Sequence, residues 1–160
     1  MLKNYCKYNT WANQKIATYI LSAGEVIADH ELLSSFSTIR KTMLHIWDAQ
    51  LIWMARLNGQ SFNSWPSKDF KGSLEDACLG LVADSTEFEI LAEKISGAAS
   101  QRFTYKNQEG SEFTNTAEEI IMHCMNHGTY HRGQIITMLR QAGFTAVGST
   151  DYIRFCRENS

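Results

Sequence analysis

TAEEIIMHCMNHGTYHRGQIITMLRQAG, from Thr116 to Gly143, is the stretch that decides the fold. Thr116 with Glu119 three residues later is a capping box, in which each side chain satisfies an amide the first turn leaves open. Ala142-Gly143 is a helix stop. Between the two signals the apolar residues recur at helical steps and no proline interrupts them, so the stretch predicts one long helix. Ile120, Cys124, Ile135 and Met138 lie on the face that points inward.

Upstream, the periodicity predicts three more long helices. About Asn4 to Leu21 places Tyr5, Tyr8, Ala12, Ile16, Tyr19 and Ile20 on one stripe. Ser37 is a candidate cap for a second helix carrying Ile39, Met43, Ile46, Trp47, Trp53, Met54 and Leu57, which ends at Asn58-Gly59 and spans ~30 Å. Ser73 is the expected cap of a third, reaching about Ser96, with Glu75 and Asp76 where the helix dipole favours negative charge. A polar link runs from Ala23 to Ser35. A long loop from Gln60 to Gly72 holds the sole proline, Pro66, and marks where the chain leaves helix. RFTYKNQEGSEFT, Arg102 to Thr114, reads as a small hairpin around Asn107 to Gly110, and a short helix over about Asp151 to Arg157 closes the chain. The fold expected is all-α, a bundle of four long helices in a single domain over residues 1–160.

Composition narrows function. A hydrophobic fraction of 44%, with eight Phe, six Tyr and four Trp, suffices for one core and excludes a disordered chain. Fifteen basic against 17 acidic residues, unclustered, argue against a nucleic-acid groove or a polybasic membrane contact. No stretch has the length and apolarity of a signal peptide or membrane span, so a cytoplasmic protein is expected. Cys6, Cys78, Cys124 and Cys156 are scattered without a C-x-x-C pair and read as buried thiols.

Three of the five histidines, His123, His127 and His131, stand four residues apart in the last long helix. Steps of four turn by about 40°, so all three share a face, but only adjacent pairs reach one cation. His45, in LHIWDAQLIWMARL, becomes a third imidazole aimed into the bundle if the second and fourth helices are neighbours; its face also carries Ala49, Ile52 and Arg56. Three neutral imidazoles with open positions suit a catalytic site for a borderline divalent metal. His30, in the polar link, is expected in solvent. Arg132, on an apolar arc, needs a partner: an acidic residue, a helix C-terminus or another subunit. Gly128 and Gly133 each cost a helix about 1 kcal/mol relative to Ala, which close packing or room for a ligand would justify. Gln134 reads equally as a surface amide or as the holder of a ring nitrogen or metal-bound water.

The segment NHGTYHRGQI from Asn126 to Ile135, with LHIWDAQLIWMARL from Leu44 to Leu57, YNTWANQKI from Tyr8 to Ile16 and the closing TDYIRF, resembles the DinB/YfiT-like family, in order along nearly the whole chain. The resemblance implies an antiparallel four-helix bundle, usually a homodimer, holding a divalent metal through His45, His127 and His131; three imidazoles accept Zn, Ni, Fe, Co or Mn. His123 then stands beside the ligands or in the core, and His123, Gln134, Cys124 and Arg56 are candidate pocket residues. The family includes transferases that join a low-molecular-weight thiol to an electrophile, isomerases that use such a thiol, and members without an assigned reaction. A small-molecule substrate and a thiol cosubstrate are therefore expected. The alternatives are a metal-dependent hydrolase and a non-catalytic metal-binding or dimerisation bundle. Zincin-type proteolysis is disfavoured because Gly128, Thr129 and Tyr130 put no Glu between the ligands. Asp48 is the weak candidate for a base or orienting group, with a solvated helical charge as the favoured reading. Cys124, about 60° from His127, is the thiol that could intrude on the ligand set.

Overall fold

The computed structural model describes residues 2–107 and 109–159. Four long helices carry the fold: α1 (Leu2–Ala23), α3 (Ile39–Leu57), α5 (Leu74–Lys94) and α6 (Ala117–Gln141). Shorter elements join them: α2 (Glu25–Ala28), α4 (Pro66–Asp69), the strands β1 (Arg102–Lys106) and β2 (Glu112–Thr116), and the closing α7 (Tyr152–Glu158). Two caps follow the expectation. Ser73 and Asp76 form a capping box on α5, and Thr116 and Glu119 form one on α6. On α3 the cap is Thr38 rather than Ser37: the Thr38 side chain accepts from the Lys41 amide, while Ser37 accepts from the Lys41 ammonium.

The proline does the opposite of what its place in a loop suggested. Pro66 is the first residue of α4, where its missing N–H is not needed and its fixed φ is already helical. The polar link likewise contains the turn of helix α2.

Each long helix packs on two others, α1 and α3 each contacting both α5 and α6, so α1 stands diagonal to α3 and α5 to α6. Side-chain pairs set the directions. Between α3 and α6, Thr42 meets Met138, His45 meets His127 and Trp53 meets His123, so those helices are antiparallel. Thr10 with Ser85 and Lys3 with Glu93 make α1 and α5 antiparallel too. The pairs α1 with α6 and α3 with α5 run parallel, as Tyr5 on Asn126, Asn9 on Arg132, Met43 on Cys78 and Gln50 on Ser85 show. A parallel α3–α5 pair explains the long loop: the chain must return the length of α3 before α5 can begin.

The interior has two apolar ends and a polar middle. One end gathers Ile16, Ile20, Met43, Ile46, Leu81, Ile135 and Leu139; the other gathers Cys6, Leu57, Phe88, Ile120, Ile121, Cys124 and Met125. Between them Asn9, Asn13, Gln50 and Ser85 are buried and bonded to one another across α1, α3 and α5. Arg132 of α6 completes this layer at 1% exposure, and its partners correct the expectation: they are neutral. Its Nη1 donates to Asn9 Oδ1 at 2.6 Å and Asn13 Oδ1 at 2.9 Å, and its Nη2 donates to Thr129 Oγ1 at 2.9 Å. The Tyr8 ring lies 5.5 Å from the guanidinium.

The hairpin pairs Arg102 with Thr116 through Lys106 with Glu112. Its turn closes through the Asn107 side chain, which accepts from the Glu109 and Ser111 amides, and Gly110 supplies the φ of 86° the turn requires. Tyr105 of β1 packs edge-on to Trp53 at 5.2 Å, which docks the hairpin on the C-terminal half of α3.

Candidate metal centre

The α3–α6 contact brings His45, His127 and His131 together, the one group of its kind among the described residues. One ligand atom from each lies within 4.8 Å of the others. Ring centroids are separated by 4.5 to 4.8 Å. His131 is buried at 5% exposure, and His45 and His127 are half-buried. His127 and His131 come together because four residues of α6 return the chain to one face. His45 joins them because α3 passes antiparallel across that face.

These residues fit a divalent cation. His45 Nε2 and His127 Nε2 face each other at 3.0 Å, where two imidazole lone pairs repel unless a proton or a cation lies between them. Gln134 Oε1 sits 2.7 Å from His131 Nδ1 and can only accept there, so Nδ1 carries the proton and Nε2 keeps its lone pair for the cluster. Gln134 is held in turn by donating Nε2 to Ser35 Oγ at 2.9 Å. The surroundings of all three rings disfavour the protonated form, and the neutral form is the one that ligates. The His127 pKa falls to about 3, through burial first and then through His131, His45, His123 and Arg132. Burial and His131 lower His45, against an opposing pull from Asp48; burial lowers His131, against the Gln134 bond. Phe36, unmarked by the sequence pattern, covers His45 at 4.3 Å and His131 at 5.8 Å between centroids.

A cavity of about 490 Å³ opens from His45 and His127 along α3. Asp48, Ala49, Ile52, Trp53 and Arg56 form its α3 wall, and His123 lines it from α6. His123 is exposed and edge-on to Trp53 at 4.9 Å, four residues before His127 and outside the ligand cluster. Asp48 is not the solvated charge expected: it is 5% exposed, and its Oδ1 accepts from the Ser67 amide of α4 at 3.1 Å. That bond ties the Gln60 to Gly72 loop to the rim. Lys68 and Trp65, from the same loop, also line the cavity.

Cys124 is a correction. Its thiol lies in the apolar end of the bundle with Cys6, neither lining the cavity nor joining the ligands, and burial and Cys6 raise its pKa. It sits near the start of α6 beside Ile120, Ile121 and Met125, whose apolar cluster takes its side chain. His30 is exposed. Of the glycines, Gly128 has a reason: a Cβ there would stand 2.8 Å from Arg132 Nη1 and 3.1 Å from Asn9 Oδ1. A Cβ on Gly133 would meet nothing within 4 Å, and nothing in the structure explains that glycine.

The sequence pattern of the DinB family matches residues 1–159. The chain belongs to the DinB family. Among its DinB-family relatives, Protein DinB of Bacillus subtilis (strain 168) is 30% identical over 157 residues, covering 91% of this chain and 88% of that protein. The crystal structure of a DinB-like protein from Bacillus cereus ATCC 10987 superposes with a TM-score of 0.69 at 19% identity, over 89% of this chain and 91% of that one, and supports the fold. Within this DinB-family bundle, three histidines are placed where they could hold a metal ion. Among the described residues no helix is long and apolar enough to cross a membrane.

Proposed function

We propose that this protein is a divalent-metal-dependent enzyme that joins a low-molecular-weight thiol to an electrophilic small molecule. The observation that carries this reading is the opening of the His45, His127 and His131 cluster onto the 490 Å³ cavity, since a purely structural site would close with four protein ligands. A bound cation with three neutral ligands keeps its full charge and supplies Lewis acidity to a coordinated thiol or water. The protein's own part is to hold that geometry. Gln134 fixes the His131 ring, Phe36 shields His45 and His131, and the α3 wall seats the substrate. Metal-dependent hydrolysis is the second reading: Asp48, the buried carboxylate of the cavity, uses only Oδ1 on the Ser67 amide, and a carboxylate accepts at both oxygens.

A homodimer belongs to the same proposal. Leu33 and Tyr130, exposed at 102% and 61%, lie beside Gln134 and would lose apolar surface in it. Sedimentation equilibrium at twice the monomer mass is the expected result.

The experiment is metal analysis of untagged protein, followed by conjugation assays with a panel of thiols and electrophiles. One ion per chain after repletion, and loss of both metal and conjugation in His45→Ala, are expected. Metal content well below one per chain would overturn the proposal.

A further inference from the structure

The cavity does not end at the histidines. Arg56, Trp65 and Lys68 line both the 490 Å³ cavity at the triad and a second of about 660 Å³ that continues to the hairpin. Arg56 stands 11 residues after His45 on α3, about 16 Å along the axis at 1.5 Å per residue. Its guanidinium sits in the corner formed by the edge-on rings of Trp53 and Tyr105, 4.3 Å from each centroid, and Nη2 donates to the Lys106 carbonyl at 3.2 Å. No carboxylate lies within ion-pair distance of it among the described residues. Arginine has five N–H donors in a planar fork, and one bond uses one of them. Lys68, 5.8 Å from the Trp65 centroid, also has no ion pair there.

Three carboxylates share these walls, and none pairs with either cation: Asp48 accepts from the Ser67 amide, Glu112 faces Lys106 across the hairpin, and Glu109 is exposed at the turn. Two cations braced by three aromatic rings are suited to an oxyanion attached to a flat apolar body.

We propose that Arg56 and Lys68 form an anion-recognising subsite, and that the substrate is an elongated molecule with an oxyanion at this end and its reactive group at the triad. The assignment of a substrate rests on the proposed function; the subsite itself is testable without it. Two rigid aromatic platforms hold the guanidinium before any ligand arrives, so little ordering cost remains at binding. The distance from Arg56 to His45 sets the reach: the substrate is longer than a two- or three-carbon acid.

The test uses the full chain free of metal, so that no anion can be read at the triad, with benzoate, benzamide and inorganic phosphate as calorimetric probes. Benzoate is expected to bind, and benzamide, its uncharged counterpart, about tenfold more weakly or worse. Arg56→Gln is expected to lose about tenfold in benzoate affinity and Lys68→Gln less. If phosphate displaces benzoate and binds more tightly, the natural anion is a phosphate; if benzoate binds more tightly, it is a carboxylate, and either result supports the subsite. Should Arg56→Gln fail to fold, Arg56→Lys decides, because it keeps the charge but loses the planar fork and must weaken benzoate severalfold. Equal binding of benzoate and benzamide, unchanged affinity in the Arg56 variants, or no binding up to ~10 mM would overturn the proposal. Failure of the metal reading registers separately, as low metal content.

Discussion

Gln134 accepts from His131 Nδ1 at 2.7 Å, and this contact settles which ring nitrogen faces His45 and His127. Replacing it by Leu removes the acceptor while leaving the ring in place. Gln134→Leu is expected to lower metal affinity about 10- to 100-fold with little change in thermal stability of the metal-free protein. Competitive titration against a chelator measures this, and an unchanged affinity would show that the amide is incidental.

The two glycines of the ligand helix separate by sign. Gly128→Ala drives a methyl toward Arg132 Nη1, itself fixed by Asn9 and Asn13, and is expected to destabilise by about 1 to 3 kcal/mol. Gly133→Ala meets nothing and is expected to stabilise by about 0.5 to 1 kcal/mol through helix propensity. Urea unfolding of both variants provides the comparison.

Stability of the metal-free protein is expected to rise with pH between about 3 and 6.5 and then to level. His127 has its pKa lowered to about 3 in the fold, against about 6.5 in the unfolded chain, so across that window the unfolded state binds the extra proton. Burial lowers His45 and His131 as well, and both act in the same direction. Unfolding midpoints across the acid range should show a shallower slope in His127→Gln than in the parent; equal slopes would place the proton elsewhere.

Asp48→Ala removes the acceptor for the Ser67 amide and is expected to cost about 1 kcal/mol, with metal content unchanged. Hydrogen exchange should quicken across residues 60–72 and not in α6. A loss of metal in this variant would make Asp48 part of the ion's own surroundings.

Helix existence was a local matter and therefore legible. The Thr116 and Glu119 box, the Ser73 cap and the Asn58 and Ala142 stops each act within one turn, and the hairpin followed from its turn residues. His127 and His131 share a face by helical period alone, so half of the cluster was determined by sequence spacing. His45 was not. Eighty-two residues separate it from His127, and only the antiparallel packing of α3 on α6 brings their Nε2 atoms to 3.0 Å. The same limit hid the partners of Arg132, because Asn9 and Asn13 satisfy it from α1, more than a hundred residues away. It hid the burial of Asp48, which depends on where the loop folds back, and the exile of Cys124 to the apolar end, which depends on which side of α6 meets α1. Sequence determines each helix and the face it offers, since those interactions are short-ranged. Which faces meet is decided by the packing of all four helices at once, and the cluster and its cavity exist only at that level.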